Sequence, residues 1–176
     1  WLPTFELRLE LVRTPELDTT SVALLTPGDL RERRKIWQVS ERAAQAGVRP
    51  GMRVPRAVSL CPSLTLLESD PTHYGVATQE ILGILETVSP VVQTVERQGV
   101  FHVGMDGLER LYGSSQTQVD RVLHTILEVL PRPLVAAIRV GRAPGLFGAW
   151  VAASSARPGS PVLVEEGELD RFLAPH

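Results

Sequence analysis

Metal-assisted and acid–base chemistry need carboxylates, imidazoles or thiolates gathered at one point. The chain of 176 residues has 20 Asp and Glu, four His and one Cys. The acids that could serve are Glu6, Glu10, Glu96, Asp106 and Glu109. Glu6 and Glu10 are four apart and share a face if their segment is helical. Asp106 stands next to Gly107, where a turn-forming Asp is the ordinary expectation. The best organised stretch is 99–113. Val100, Phe101 and Val103 around His102 make a short strand-like run, which Gly104 and Gly107 interrupt before Leu108, Leu111 and Tyr112 begin a new apolar spacing. A metal-holding strand would carry acids here. These positions are apolar.

The remaining reactive side chains show no ligand or triad spacing. His73, His102, His124 and His176 are scattered, and His102 faces opposite to Phe101 and Val103. The single Cys61 excludes an intrachain disulfide and a cysteine zinc cluster, and its Ser-Leu-Cys-Pro setting predicts a buried structural thiol. Arg31, Arg33, Arg34 and Lys35 form the densest charge cluster, read first as a solvated hairpin tip and second as a contact for nucleic-acid phosphate or an acidic partner. Arg49, Arg53 and Arg56 are a second candidate nucleic-acid contact. Trp37 and Trp150 are core candidates before they are partner anchors.

The bulk numbers bound the class. A hydrophobic fraction of 43% and a charged fraction of 22% describe an ordinary globular chain of one domain's length. A net charge of −2 gives no global pull toward nucleic acid and leaves a local basic face open. Lys35 is the only lysine among 18 basic residues, a bias read first as compositional. No apolar run is long enough to span a bilayer and no signal-peptide pattern is present, so a cytoplasmic protein is expected.

Around 99–113 the elements follow from periodicity and punctuation. Residues 5–12 fit helix or strand equally. Short strands are expected at 21–26, 36–39 and 64–67, with helices at 41–46 behind Ser40 and at 54–60. Asp70-Pro71 opens the longest helix, running to Val88. A hairpin of 91–96 and 100–105, a helix following Ser115, a strand at 134–140, a helix at 144–156, a strand at 161–164 and a helix at 168–173 complete the chain. With a strand ending at Trp1, the order is that of an α/β (α+β) ferredoxin-like βαββαβ domain. Its expected division is 1–20, an inserted small α/β subdomain at 21–67, and 68–176.

Several phrases carry a family resemblance in the right order. Gln45-Ala-Gly-Val-Arg-Pro-Gly-Met52, Leu60-Cys-Pro-Ser-Leu64, Gly141-Arg-Ala-Pro144 with Ala149 to Ala153, and Phe172-Leu-Ala-Pro175 resemble the palm and fingers of Y-family (translesion) DNA polymerases. The resemblance implies a ferredoxin-like palm at 1–20 and 68–176, fingers at 21–67, and two metal ions held by acidic residues. By that correspondence the ligand positions fall on Trp1, Gly99 and Val100, none of which offers a carboxylate. The triphosphate and sugar contacts fall on Glu41, Ala44, Trp150 and Glu6.

The losses make the chain most similar to the inactive polymerase-like subunit of the bacterial mutasome. That branch implies no enzyme activity, no cofactor, and a scaffold role in damage-induced mutagenesis beside a replicative-type error-prone polymerase, a RecA-like accessory protein and the sliding clamp. The alternative is an active, divergent translesion polymerase using other acids, with Mg as its metal. A binding domain without polymerase ancestry is the third reading.

Overall fold

The computed structural model describes residues 1–28, 34–94 and 99–174. The chain divides into two compact units, Thr4–Ala77 and Trp1–Pro3 with Thr78–His176.

In the first unit, α1 (Phe5–Arg13) settles the helix-or-strand question. Phe5, Leu7, Leu9 and Leu11 are all buried, so the alternation that suggested a strand belongs to a helix enclosed on most sides. A three-stranded sheet follows, with β1 (Val22–Leu25) at its centre. It pairs antiparallel with β2 (Ile36–Val39) and parallel with β3 (Thr65–Leu67). The first pair is the expected hairpin, whose tip at 29–33 lies outside the described residues. All four residues of β1 are buried, as a strand covered on both faces requires.

Two short helices lie between β2 and β3. Ser40 Oγ caps α2 (Glu41–Gln45) by accepting from Ala43 N, and it also accepts from Val22 N at 2.9 Å, tying the helix start to the central strand. The segment α3 (Val54–Leu60) has Pro at its start, where the missing amide costs nothing. Ala23, Leu25, Ile36, Ala43, Val48, Ala57 and Cys61 form the core here, and Cys61 is the expected buried, free thiol.

The helix α4 (Pro71–Glu86) begins in this unit and continues into the other, with Asp70 Oδ1 accepting from His73 N at 3.1 Å as its cap. Within the first unit, Tyr74 donates its hydroxyl proton to Glu10 on α1 at 2.7 Å. Arg13 bridges Glu10 and Asp70 at 3.6 and 3.1 Å.

The second unit is organised by backbone pairing. β4 (Val92–Thr94) and β5 (Phe101–Val103) form the expected antiparallel hairpin, its tip at 95–98 outside the described residues. Leu2 N donates to Gly99 O at 2.8 Å, while Trp1 and Arg139 exchange both backbone bonds at 2.9 Å. The segment at Trp1–Leu2 is therefore inserted between the third and last extended segments, the arrangement of a split βαβ palm.

The last segment differs from expectation. Leu134 and Val135 belong to a short helix, α7 (Arg132–Val135), rather than to a strand over 134–140. Pro133 fits the first turn of a helix, and the apolar run cannot distinguish one buried turn from a strand. The chain then extends through Arg139 into β6 (Gly141–Arg142), which pairs parallel with β7 (Val162–Leu163) across α8 (Gly145–Ser155).

Two further helices, α5 (Glu109–Tyr112) and α6 (Ser115–Leu127), follow β5. Ser114, not Ser115, caps α6, because Ser114 Oγ is the acceptor of Thr117 N. The terminal α9 (Leu169–Leu173) packs on α8, where Gly148 leaves room for Leu169.

Gly141 decides how closely α8 lies on β6. A Cβ there would sit 2.0 Å from Ala153 N and 2.7 Å from Ala152 Cβ, so any side chain forces the helix away. Gly141→Ala is expected to destabilise the protein by about 3 kcal/mol, the scale of overpacking in a close-packed interior. Denaturant unfolding at constant m-value checks this.

Candidate functional site

The positions that the polymerase resemblance assigns to metal ligands are part of the backbone seam. Trp1 is half-buried beside Arg139, with the Arg139 guanidinium carbon 5.2 Å from the Trp1 ring centre. Gly99 and Val100 are buried, and Gly99 has φ +74°, a left-handed turn that glycine adopts without strain. Leu2, next to Trp1, donates its backbone N–H to Gly99 O, and neither Trp1 nor Gly99 carries a carboxylate. Among the described residues no group of three or more His, Cys, Asp and Glu could hold a metal ion. A two-metal carboxylate clamp does not fit the described side chains.

Each surviving acid has a local task. Asp106 lies exposed in the turn with Gly107, as expected. Glu109 Oε1 accepts from Gly107 N at 3.2 Å and closes the same turn. Glu10 accepts from Tyr74, and Glu96 lies outside the described residues.

Glu6 is the exception. It is 0% exposed on the first turn of α1, and Gln38 of β2 holds it. The Gln38 amide nitrogen donates to Glu6 Oε2, while Gln38 Oε1 accepts from Leu7 N at 2.9 Å. Glu6 Oε1 has no partner among the described residues. Burial pushes the Glu6 carboxyl above its ordinary value of 4.5, against the opposing pull of its own backbone N–H and of Gln38. A carboxyl so placed holds its proton to a higher pH than a solvated one.

The other assigned positions are ordinary surface and helix sites. Glu41 is exposed at the start of α2, and Ala44 is half-buried. Trp150, half-buried on α8, has its ring centre 6.5 Å from that of Phe147, which is 64% exposed.

Arg49 donates to the carbonyls of Ala44 and Val48, closing the end of α2. Arg53 and Arg56 are exposed at the start of α3. Arg34 pairs with Glu68, whereas Arg31 and Arg33 lie outside the described residues. His102 is half-buried, and burial pushes its imidazole below the usual value. Trp37 packs its ring at 6.3 Å from that of Tyr74.

Sequence reasoning missed Arg139, whose relation to Trp1 spans almost the whole chain and leaves no local pattern. It also missed Gln118, a polar residue 1% exposed on α6.

The family model of the impB/mucB/samB family matches residues 1–154. The chain belongs to the impB/mucB/samB family. Among curated relatives, DNA polymerase IV of Opitutus terrae is 27% identical over 172 residues, covering 97% of this chain and 42% of that protein. DNA polymerase IV 2 of Mycobacterium tuberculosis (strain H37Rv) is 36% identical over 93 residues, covering 52% of this chain and 27% of its own. The chain therefore spans well under half the length of these relatives.

Among solved structures, the insertion ternary complex of Dbh DNA polymerase matches with a TM-score of 0.81 at 17% identity, over 99% of this chain and 50% of that one. DinB from Sulfolobus solfataricus gives 0.78 at 17%, over 98% and 49%. The fold is that of a Y-family palm and fingers, and the mixed α/β class stands as expected.

These comparisons correct the expectation that this member of the impB/mucB/samB family is not an enzyme. The relatives are named DNA polymerase IV and the structural neighbours are Y-family DNA polymerases. The physical reason is that counting along a motif assigns seats, whereas a site is assembled from whichever side chains the whole folded protein brings together.

Glu6 has a measurable signature. Because its folded pKa is raised, its contribution to stability is fully present below the unfolded value of 4.5 and is lost as pH rises through the folded value. Glu6→Gln, neutral throughout, is expected to gain stability relative to the parent chain as pH climbs from 4 upward. Thermal unfolding across that range should show the two curves separating in this sense, and parallel curves would remove the raised pKa.

Proposed function

We propose that this chain is the palm-and-fingers portion of a divergent Y-family DNA polymerase that extends primers by template-directed nucleotide transfer. The single observation behind this reading is the family match across residues 1–154, joined by relatives named DNA polymerase IV along nearly the full chain. The fold supports it, since the neighbours include an insertion ternary complex of a DNA polymerase.

What this chain contributes, on the proposal, is position. The split βαβ seam at Trp1–Leu2 fixes one surface of the second unit, and the sheet β2-β1-β3 builds a separate small surface in the first. Arg53, just ahead of α3, and Arg56 on its first turn lie exposed and serve as phosphate contacts that bind without regard to sequence. Arg49 and Arg34 contribute less because their guanidinium groups are engaged within the protein.

Trp1, Gly99 and Val100 offer no carboxylate, so on this reading the acids of the reaction come from outside the described residues. Mg²⁺ is the metal this reading requires. The departure also distinguishes the proposal from an ordinary member of the family.

Primer extension by the full-length protein on an undamaged and a lesion-bearing template tests the reading. Templated incorporation with Mg²⁺ or Mn²⁺ is the expected result. Failure of the folded protein to extend any primer under either metal would overturn it. Arg53→Ala combined with Arg56→Ala is expected to weaken duplex binding and to lower its salt dependence by about two phosphate contacts.

A further inference from the structure

Arg139 is held in an unusual way. It is half-buried, yet no carboxylate lies within ion-pair distance of it among the described residues. Its guanidinium lies over the Trp1 ring at 5.2 Å, an arrangement that orients a cation without neutralising it. One Nη1 proton reaches Ser154 O near the end of α8, at a long 3.4 Å. Nε is buried with no acceptor among the described residues. A guanidinium offers five donors, and among the described residues Ser154 O is the one acceptor that reaches this group.

The backbone fixes where this group points. Trp1 and Arg139 exchange both backbone hydrogen bonds, so they are direct partners in an antiparallel pair and their side chains share a face. Their neighbours Leu2 and Ile138 are buried at 4% and 6% exposure, on the opposite, core-facing side. Gly141, two residues beyond Arg139, lies against the backbone of α8, so the Arg139 side of the sheet is also the α8 side. The positions expected to hold acids, Trp1 and Gly99, border it without any negative charge. A half-buried cation with no ion-pair partner among the described residues seeks an oxyanion, and a planar fork suits phosphate oxygens best.

We propose that Arg139, stacked on Trp1, is a binding residue for a phosphate oxyanion, supplied either by the DNA backbone or by a nucleoside triphosphate. The inference rests on the polymerase reading for the identity of the phosphate. Trp1 acts as its positioning residue: the indole holds the guanidinium plane, and Ser154 O fixes one edge.

The test uses the full-length protein and two probes, a fluorescently labelled primer–template duplex and dATP, with Arg139→Gln and Arg139→Lys variants. Thermal unfolding first establishes which variants are folded. Arg139→Gln is expected to lose about tenfold in affinity for the probe that Arg139 contacts, while Arg139→Lys, keeping charge but not the fork, falls between. If the duplex is that probe, the slope of log affinity against log salt decreases by about one contact. If dATP is, duplex affinity and its salt slope stay at the parent value.

Phenylglyoxal modification of Arg139, read by mass spectrometry, serves where Arg139→Gln does not fold: protection by duplex or by dATP alone identifies the source. A folded Arg139→Gln that binds both probes like the parent overturns the inference, as does modification at an unchanged rate with either probe. A parent protein that binds the duplex while Arg139 proves indifferent removes only this inference. One that binds neither probe removes the polymerase reading as well.

Discussion

The second unit depends on two residues of backbone. Trp1 and Leu2 lie between Gly99 and Arg139, joined by three hydrogen bonds of 2.8 to 2.9 Å. Each exchanges a solvated amide for an internal one, so each contributes only about 1 kcal/mol by itself. Their structural effect is larger, because a period-two strand shifted by one residue turns every side chain to the other face. This seam puts Leu2 and Val100 in the core and sets Trp1 beside Arg139. No side chain takes part in the three bonds. That explains how acidic seats can hold Trp and Gly while the palm keeps its arrangement.

The first unit is secured differently, by polar side chains that each serve two partners. Ser40 caps α2 and accepts from Val22 of the central strand. Gln38 joins the backbone of Leu7 to the carboxyl of Glu6, so α1 is bound to β2 through one amide group. Arg13 joins Glu10 to Asp70, and Tyr74 returns to Glu10. Such shared groups are cooperative: removing one leaves its partners unsatisfied, and unsatisfied buried groups cost more than the lost bond. The exposed contact of His124 Nε2 with Glu128 Oε1 at 3.2 Å has no such leverage.

Membership in a polymerase family and an altered acid set are compatible once fold and site are treated as separate properties. A fold is maintained by apolar burial and backbone pairing, spread over many residues. A site depends on a few side chains that tolerate relocation or replacement without disturbing that network. Here the fold likeness runs along almost the whole chain at 17% identity, while Trp1, Gly99 and Val100, which the family resemblance assigns to metal ligands, offer no carboxylate.

Local pattern was sufficient wherever a boundary is set by nearby residues. Ser40, Asp70-Pro71 and the hairpin of β4 with β5 were legible because caps, proline and alternating strands act within a few positions. The buried Cys61 followed from its apolar setting. The helical turn at Leu134–Val135 was not legible, since one buried apolar turn and one buried strand have the same composition, and packing alone separates them. Glu6 was read among the acids available for chemistry because nothing in its neighbourhood announces its burial or Gln38, thirty-two residues away. Arg139 carried no signal at all, as its partner stands at the other end of the chain. Sequence thus determined the elements and the family. Which side chains meet, and in which direction a buried carboxyl's pKa moves, was decided by long-range pairing, because proximity and desolvation are created only when distant segments close on one another.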